Sequence, residues 1–320
     1  MAGRRRRILT WHEHGNYLLY LTQVPHDFHV VTQPGGGPGR TGLGGALPWG
    51  PNVHEVDARA VRDHEFDLVL YQSRPAWDGD RWSVLSDAQR RLPRAYIEHD
   101  PPQHHPTDTR HWVDDPGTLL VHVTPFNELM WDSGSTPTTV IEHGVMLLGD
   151  SGVEPRERQA LARGISVVNN LDRRGRRLGL DVYRRMAAQL PLDLVGLGAD
   201  RIGGLGEVRN VELPAFMARY RFFFNPIRYT SLGLAIVEAM MAGLPIVGLA
   251  TTELVTVIRN GDNGHVDTRL DSLVETMRHL LADPAEARRL GDNARRSALS
   301  RFGIERFVRD WQELIRRLCD

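Results

Sequence analysis

The chain has 320 residues, of which 41% are hydrophobic and 25% charged, and its 39 basic and 40 acidic residues give a formal charge of −1. This length supports about two domains of ordinary size, and the composition excludes an intrinsically disordered chain. The balanced charge excludes a protein that binds nucleic acid by bulk attraction to phosphate, so we expect no nucleic-acid partner.

The distribution of particular residue types narrows the class of protein further. No apolar run approaches the roughly 18 to 20 residues that cross a bilayer, so any membrane contact is expected to be peripheral. The single cysteine, Cys319, allows no internal disulfide and fits a reducing, cytoplasmic location. All 39 basic residues are arginine, 26 of them after residue 150, whereas 12 of the 14 histidines lie in residues 1–143. This skew reflects either compositional drift or two halves with different chemistry.

Short apolar runs alternate with helical segments through the first half of the chain. This rhythm predicts a parallel sheet covered by helices on both faces. A glycine-rich stretch, residues 34–50, predicts a loop whose composition suits mobility. The predicted strands are 7–11, 27–32, 67–71, 94–98, 119–124 and 139–142, with helices at 17–22 and 83–92.

A polar, glycine-containing segment at residues 149–152 interrupts the apolar rhythm and is the best candidate for a hinge. After it the alternation of strands and helices begins again. The predicted strands are 164–168, 192–196, 221–225 and 245–249, and the predicted helices are 178–190, 213–220, 231–242, 272–281, 284–299 and 304–318. We therefore expect two similar α/β domains.

Residues 222–247 form the segment with the strongest chemical signal. An apolar strand leads into a polar turn and then a helix, which we expect to begin at Ser231 with Gly233 in its first turn. The exposed amides and partial positive charge of such a helix end suit a phosphate group. Glu238 is the only charge in this apolar helix, and from its spacing alone it either faces solvent or serves the site.

The same segment resembles the C-terminal domain of the family 4 retaining glycosyltransferases, which have the GT-B fold. The family pattern is a proline, a few residues, Glu-Gly-Phe-Gly-Leu, three residues and then Glu-Ala-Met-Ala-x-Gly-x-Pro-Val-Val. Here Pro226 is followed by Thr-Ser-Leu-Gly-Leu at 230–234 and by Glu-Ala-Met-Met-Ala-Gly-Leu-Pro-Ile-Val at 238–247. The resemblance continues through residues 260–264, 293–296 and 301–302, and it is weaker in the first half.

The resemblance implies an α/β chain of two Rossmann-like domains that face each other across a cleft. We expect an acceptor domain at residues 1–149 and a nucleotide-sugar donor domain at 150–302. The last helix, within 303–320, is expected to pack back toward the first domain. The implied activity is transfer of a sugar from a nucleotide-diphosphate sugar to a glycan, lipid or small-molecule acceptor, with retention of anomeric configuration and with no metal or other cofactor.

The resemblance also implies roles for particular residues. In the family two glutamates eight positions apart hold the donor sugar and the ribose; Glu238 occupies the second position, and Thr230 stands at the first. An arginine-rich stretch stands where the family has its phosphate-binding arginine and lysine. It either binds phosphate in their place or is a solvated basic turn. We expect catalytic roles for Arg174, Arg177, Glu238 and His99, and donor binding by Gly15, Arg176, Arg228, Thr230, Ser231, Leu232 and Gly233.

Two details bear on this expectation. Thr252 and Glu253 stand where the family usually has two glycines, so this loop is expected to be bulkier. His99 follows a predicted strand, where a ligand meets a parallel sheet, and it either contacts an acceptor hydroxyl or is a packed structural histidine.

Three other functions compete with transfer. The loss of the first glutamate favours a non-catalytic relative that binds nucleotide-sugar. The histidines at 99–111 and 12–14 would suit a metal-dependent hydrolase, although their spacing fits no zinc motif. A sugar-nucleotide epimerase is the third alternative.

Overall fold

The computed structural model describes residues 4–37, 39–44, 47–147 and 157–320. The chain divides into two compact units, Met1–Gly144 with Ile304–Asp320, and Val145–Gly303. The hinge expected at residues 149–152 lies outside the described residues, as do residues 38, 45 and 46 of the glycine-rich loop. None of the helices in the described ranges has the length and apolar character needed to cross a membrane.

The first unit is built on a sheet of seven parallel strands, as the alternating pattern predicts. The strands are β1 (Arg7–Thr10), β2 (Asp27–Thr32), β3 (Val53–Asp57), β4 (Leu68–Tyr71), β5 (Arg94–Glu98), β6 (Leu119–His122) and β7 (Thr138–Val140). Their order across the sheet is β3-β2-β1-β4-β5-β6-β7. The central strand β4 is buried along its whole length, which explains its uninterrupted apolar sequence.

The helices in the N-terminal segment of the first unit are short. They are α1 (Gly15–Leu21), α2 (Arg81–Ser83), α3 (Asp87–Arg90) and α4 (Pro125–Met130), with a π-helical turn at Ala76–Asp80 and a 3-10 turn at Val61–Asp63. The continuous helix predicted at 83–92 is wrong. Ser86 is extended and caps a new helix, because its hydroxyl accepts a hydrogen bond from the Gln89 amide while the Gln89 side chain accepts one from the Ser86 amide.

The second unit has a sheet of five parallel strands in the order β12-β11-β10-β8-β9. The strands are β8 (Leu161–Val167), β9 (Leu192–Val195), β10 (Tyr220–Asn225), β11 (Ile246–Leu249) and β12 (Gly264–Asp267). The helices are α5 (Gly175–Leu178), α6 (Leu180–Ala187), α7 (Leu213–Ala218), α8 (Leu234–Met241), α9 (Leu254–Val257), α10 (Leu270–Ala282) and α11 (Pro284–Phe302), with a 3-10 turn at Ala199–Ile202. Strand β10 is fully buried, as its run of three phenylalanines predicts.

The helix predicted at 178–190 is interrupted at Gly179, which separates α5 from α6. Gly179 has a φ of 81°, and a Cβ atom there would lie 1.9 Å from the carbonyl oxygen of Pro226. The apolar stripe that motivated the prediction is buried on α6 at Val182 and Met186. The periodicity was therefore informative, but the close approach of the chain after β10 requires glycine and a break.

The last helix, α12 (Ile304–Cys319), belongs to the first unit. Its buried face consists of Phe307, Trp311, Leu314 and Ile315, and its opposite face carries charged residues. A Cβ atom at Gly144 would lie 2.1 Å from the Phe307 Cβ, so this glycine allows close packing of the helix against the end of the first segment.

Candidate functional site

The strand order of the second unit creates a crevice between β8 and β10. The chain runs from β8 to β9 on one side and then crosses to β10 on the other side of β8. Ligands of open parallel sheets bind at such a switch point, outside the carboxyl ends of the strands. The arginine loop, residues 173–178, follows β8, and the 226–230 turn follows β10. Both predicted donor-binding segments therefore leave the sheet at its switch point.

The arginine loop and the 226–230 turn contact each other directly. The carbonyl oxygen of Arg177 accepts hydrogen bonds from the amides of Arg228, at 2.9 Å, and Tyr229, at 3.3 Å. The close contact of Gly179 with Pro226 fixes the same pair of segments from the other end. Two sequences about fifty residues apart thus form one surface.

Asp181, at the start of α6, lies at the centre of this surface. Its two carboxylate oxygens accept hydrogen bonds from both terminal nitrogens of Arg228, at 2.6 and 2.8 Å, and one also accepts from Arg176 at 2.7 Å. The Arg228 guanidinium also donates to the carbonyl of Arg176 at 2.7 Å. The hydrogen bonds from Arg228 lower the pKa of Asp181 to about 2, so its charge is constant at neutral pH.

Asp181 belongs to none of the motifs recognised in the sequence. It is the only acidic residue between Arg173 and Asp193, which is the one sequence signal that could have drawn attention to it. Arg176 and Arg228, both expected to bind the donor, are the residues that it holds. Their contact with donor remains a prediction.

Arg174 and Arg177 are placed differently from the pair held by Asp181. Arg174 precedes α5, is exposed, and forms no ion pair within the described ranges. Arg177 is half-buried, and its backbone carbonyl anchors the 226–230 turn. Gly175, with a φ of 54°, lies between them in open space. Arg174 therefore has no carboxylate partner among the described residues, and its contact with a phosphate remains a prediction.

The helix expected to begin at Ser231 begins three residues later, at Leu234. Gly233 is its extended N-cap residue, and Ser231 and Leu232 are buried in the approach to it. The expectation of Ser231 at the helix start is therefore wrong, because the chain stays extended through Gly233, whose φ and ψ are −67° and 133°. Thr230 is half-buried at the end of the turn. The first amides of α8 remain at the carboxyl end of β10.

Glu238 lies on the buried face of α8, with 5% of its surface exposed. The solvent-facing alternative is therefore wrong. An isolated carboxylate is costly to bury, so a buried Glu238 needs a polar partner. Glu238 lies in the second turn of α8 and stays a candidate ligand for a ribose hydroxyl, a role that remains a prediction.

The loop after β11 contains the two residues that replace the family's glycines. Thr252 has a φ of 51°, a left-handed backbone conformation that residues other than glycine and asparagine adopt at an energetic cost. Glu253 is buried and accepts hydrogen bonds from Arg301, at 3.0 Å, and from the Thr256 hydroxyl. The loop thus keeps the backbone of a glycine position while carrying a threonine.

The first unit has its own switch point, between β1 and β4. Gln72, directly after β4, joins the two strands: its side-chain amide donates to the Thr10 hydroxyl at 3.0 Å and to the Trp11 carbonyl at 2.9 Å. The other end of this amide lies 3.3 Å from Nε2 of His99, which follows β5. His99 is therefore held at the carboxyl edge of the sheet, where the sequence predicts it.

His99 lies among aromatic and imidazole rings. Its ring centroid is 4.2 Å from that of His14 and 4.6 Å from that of Tyr17, which meets it edge-on. Burial, reinforced by His14 and His143, holds the pKa of His99 well below its usual value. Burial also raises the pKa of Tyr17. At neutral pH this cluster consists of a neutral imidazole and a neutral phenol.

Gly15, which the sequence analysis assigns to donor binding, is the first residue of α1. A Cβ atom there would lie 3.1 Å from Leu47 Cδ1 and 3.2 Å from His12 Nε2, so side-chain packing accounts for glycine at this position. Its part in donor binding remains a prediction.

The histidine-rich loop is tied to the sheet by a buried pair. His111 Nδ1 accepts a hydrogen bond from the Val113 amide, so its Nε2 donates to Glu98, at 2.9 Å. Burial lowers the pKa of His111 to about 4. In the part of the chain that the structure describes, no group of three or more His, Cys, Asp or Glu side chains is arranged to hold a metal ion.

Comparison with known proteins adds independent information. Residues 178–283 match the family model described as glycosyl transferases group 1. A lipopolysaccharide core biosynthesis mannosyltransferase of Rhizobium leguminosarum is 28% identical over 202 residues, which is 53% of this chain and 57% of that protein. The chain thus aligns with little more than half of this curated relative.

Solved structures resemble the chain over almost its full length. Sucrose-phosphate synthase from Thermosynechococcus elongatus superposes with a TM-score of 0.71 at 16% identity, covering 98% of this chain and 99% of that one. Anabaena HepE, in a complex with UDP and glucose, gives a TM-score of 0.68 at 14% identity, covering 98% and 100%. The chain therefore has the GT-B fold of these structures, and residues 178–283 of its second unit match the model of the group 1 glycosyltransferase family.

Proposed function

We propose that this chain is a retaining glycosyltransferase that takes a sugar from a nucleoside-diphosphate sugar without a metal ion. The observation that carries the proposal is the meeting of the arginine loop with the 226–230 turn at the switch point of the second sheet. Arginine suits phosphate because its planar guanidinium offers paired donors. The mannosyltransferase relative and the UDP complex of HepE support a nucleotide-linked hexose as the donor class.

In the proposed reaction, the bond between the anomeric carbon and the diphosphate oxygen breaks, and its electron pair leaves on the diphosphate. The acceptor oxygen bonds to the same face of the anomeric carbon, and its proton passes to the departing diphosphate. Negative charge grows on the diphosphate as this occurs, so fixed positive groups at that position lower the barrier. Arg174, Arg177 and the first amides of α8 would supply them.

Glu238 and Thr230 would hold the donor on either side of the diphosphate. Glu238 is assigned to the ribose, where a carboxylate makes a strong bond to a hydroxyl. Thr230 is assigned to the sugar, where a neutral hydroxyl replaces the family's carboxylate. We expect this exchange to change which donor sugar is preferred.

The first unit would receive the acceptor at the His99 cluster. The low pKa of His99 makes it a weak proton acceptor, so its proposed role is to orient the acceptor hydroxyl through a hydrogen bond. A cytoplasmic location remains part of this proposal.

Thermal unfolding with UDP, GDP, ADP and CMP, each with and without chelator, tests the donor site. A ligand at 100 times its Kd adds about 2.7 kcal/mol, which raises Tm by several degrees in a chain of this size. We expect one diphosphate to stabilise the protein equally in chelator, and Glu238→Ala to reduce the shift. A stabilisation that disappears in chelator would contradict metal independence.

Turnover tests the reaction itself. A panel of nucleoside-diphosphate sugars with mixed acceptors should release nucleoside diphosphate, and the anomeric proton coupling of the product in an NMR spectrum reports whether configuration is retained. Nucleotide binding without turnover on any donor would favour the non-catalytic alternative, to which the threonine at position 230 points.

A further inference from the structure

Two of the four arginines assigned to the proposed donor site, Arg176 and Arg228, are already bonded to a carboxylate. Arg228 gives both terminal nitrogens to Asp181, and Arg176 gives one. A guanidinium in a bidentate pair has its charge compensated and its donors occupied. A phosphate bound by Arg228 would have to displace Asp181, whose pKa is too low for protonation to release it.

The bonds of Arg228 do more than compensate charge. Its side chain reaches the Arg176 carbonyl at 2.7 Å, and its amide reaches the Arg177 carbonyl at 2.9 Å. The residue thus links the arginine loop, the start of α6 and the turn that precedes α8. Asp181 holds the side chain that makes this link.

We propose that Asp181 is a positioning residue that sets the arginine loop against the 226–230 turn so that the two segments grip the second phosphate of a nucleoside diphosphate. This inference rests on the proposed function and deepens it. Arg228 and Arg176 bind Asp181 and hold the two segments together, and Arg174 contacts the phosphate. The carboxylate is therefore required for diphosphate recognition although it is an anion close to an anion site.

The opposite hypothesis makes an opposite prediction. If Arg228 is itself a phosphate ligand that Asp181 restrains, removing the carboxylate frees a cation and tightens diphosphate binding, whereas removing the arginine weakens it. If Asp181 positions the site through Arg228, both substitutions weaken binding, and the double variant is no worse than either single one.

The experiment measures Kd for UDP and UMP by calorimetry, or for the diphosphate and monophosphate of whichever base binds best. The proteins are wild type, Asp181→Asn, Arg228→Gln and the double variant. Asp271→Asn is the matched control, because Asp271 of α10 pairs at 2.9 Å with Arg185 of α6, the helix that contains Asp181, and the substitution removes an equal charge.

We expect both single variants and the double variant to bind UDP about tenfold more weakly, the effect of roughly one lost charge-assisted hydrogen bond. UMP binding should change less than about twofold on the same reasoning, since the grip on the second phosphate is what is lost. The control should match wild type. A merely structural loss would weaken UDP and UMP equally and would overturn the proposal.

Two further results would overturn it: tighter UDP binding by Asp181→Asn, or no change in any variant. If Asp181→Asn does not fold, Asp181→Glu replaces it, and partial retention of the selectivity for UDP over UMP in that variant supports the positioning role. Wild-type selectivity for UDP over UMP in Arg228→Gln contradicts it. A wild-type protein that binds no nucleoside diphosphate overturns the proposed function itself, and this inference with it.

Discussion

The two sheets present different chemistry at equivalent places. At the switch point of the first unit, the rings of Tyr17 and His99 lie beside the exposed His14, and desolvation keeps both Tyr17 and His99 neutral. At that of the second unit, guanidiniums surround one carboxylate near the surface, and every group is permanently charged. Burial shifts the pKa of weak acids and bases, whereas a phosphate site needs positive charge that does not depend on pH. The skew of histidine and arginine along the sequence therefore has a structural counterpart.

The largest expected effect concerns the backbone that holds the charged site together. Gly179→Ala should destabilise the second unit by about 3 kcal/mol or more, because a Cβ atom would meet the Pro226 carbonyl and the φ of 81° disfavours any side chain. Denaturant unfolding measures the loss, and hydrogen exchange of peptides from each unit shows where it occurs.

Gly175→Ala is the matched control for Gly179→Ala. It lies four residues earlier in the chain and has a φ of 54°, but no atom lies within 4 Å of its Cβ position. It should cost only about 1 kcal/mol, the conformational term alone. Equal losses in the two variants would show that the contact between the arginine loop and the 226–230 turn contributes nothing to stability.

The next largest effect is a loss of stability of the first unit as the pH falls. His122 is fully buried, and burial lowers its pKa to about 3. The unfolded chain takes up a proton near pH 6.5 and the folded chain does not, so stability is complete above that pH and falls below it. For one such histidine the loss at pH 5 is about 2 kcal/mol.

Replacing His122 by leucine should remove this part of the acid sensitivity, which unfolding free energies at pH 8, 6.5 and 5 would measure. His279→Gln, on the exposed side of α10 in the second unit, is the matched control for the removal of an imidazole. The same loss of stability between pH 8 and pH 5 in His122→Leu as in wild type would contradict the picture of a neutral buried imidazole at this position.

A smaller effect isolates the uncommitted cation of the second unit. Arg174→Ala should weaken binding of the stabilising nucleoside diphosphate about tenfold, since one charge-assisted hydrogen bond is lost, with little change in Tm of the free protein. Arg185→Ala removes an exposed arginine of α6 and should bind like wild type. Binding titrations at two salt concentrations measure both, and equal affinity in the two variants would place the phosphate elsewhere.

Much of this architecture could be predicted from the sequence, because buried parallel strands have distinctive apolar runs. The predicted bounds 27–32 and 94–98 are those of β2 and β5. The strands that the prediction missed, β3 and β12, lie at sheet edges and have polar sequences, since an exposed edge favours charged side chains.

The site was predictable only in part. Local patterns located the arginine loop and the 226–230 turn, since each follows a recognisable strand. The pairing of Asp181 with Arg228 joins residues 47 positions apart and depends on how two loops meet in space. No spacing rule along the chain contains that information, so arginines that hold the protein together looked the same as one available to a ligand.

The smallest effect examines a strained residue beside the charged site. Thr252→Gly should stabilise the second unit by at most about 1 kcal/mol: relief of the left-handed φ of 51° outweighs the extra freedom of glycine in the unfolded chain. Thr251→Gly is the control and should destabilise, because the Thr251 hydroxyl donates to the Ile227 carbonyl at 3.2 Å. Denaturant midpoints would measure both. A loss of stability in Thr252→Gly would mean that the threonine side chain makes contacts worth more than its strain, and that this loop has diverged from a glycine loop in more than bulk.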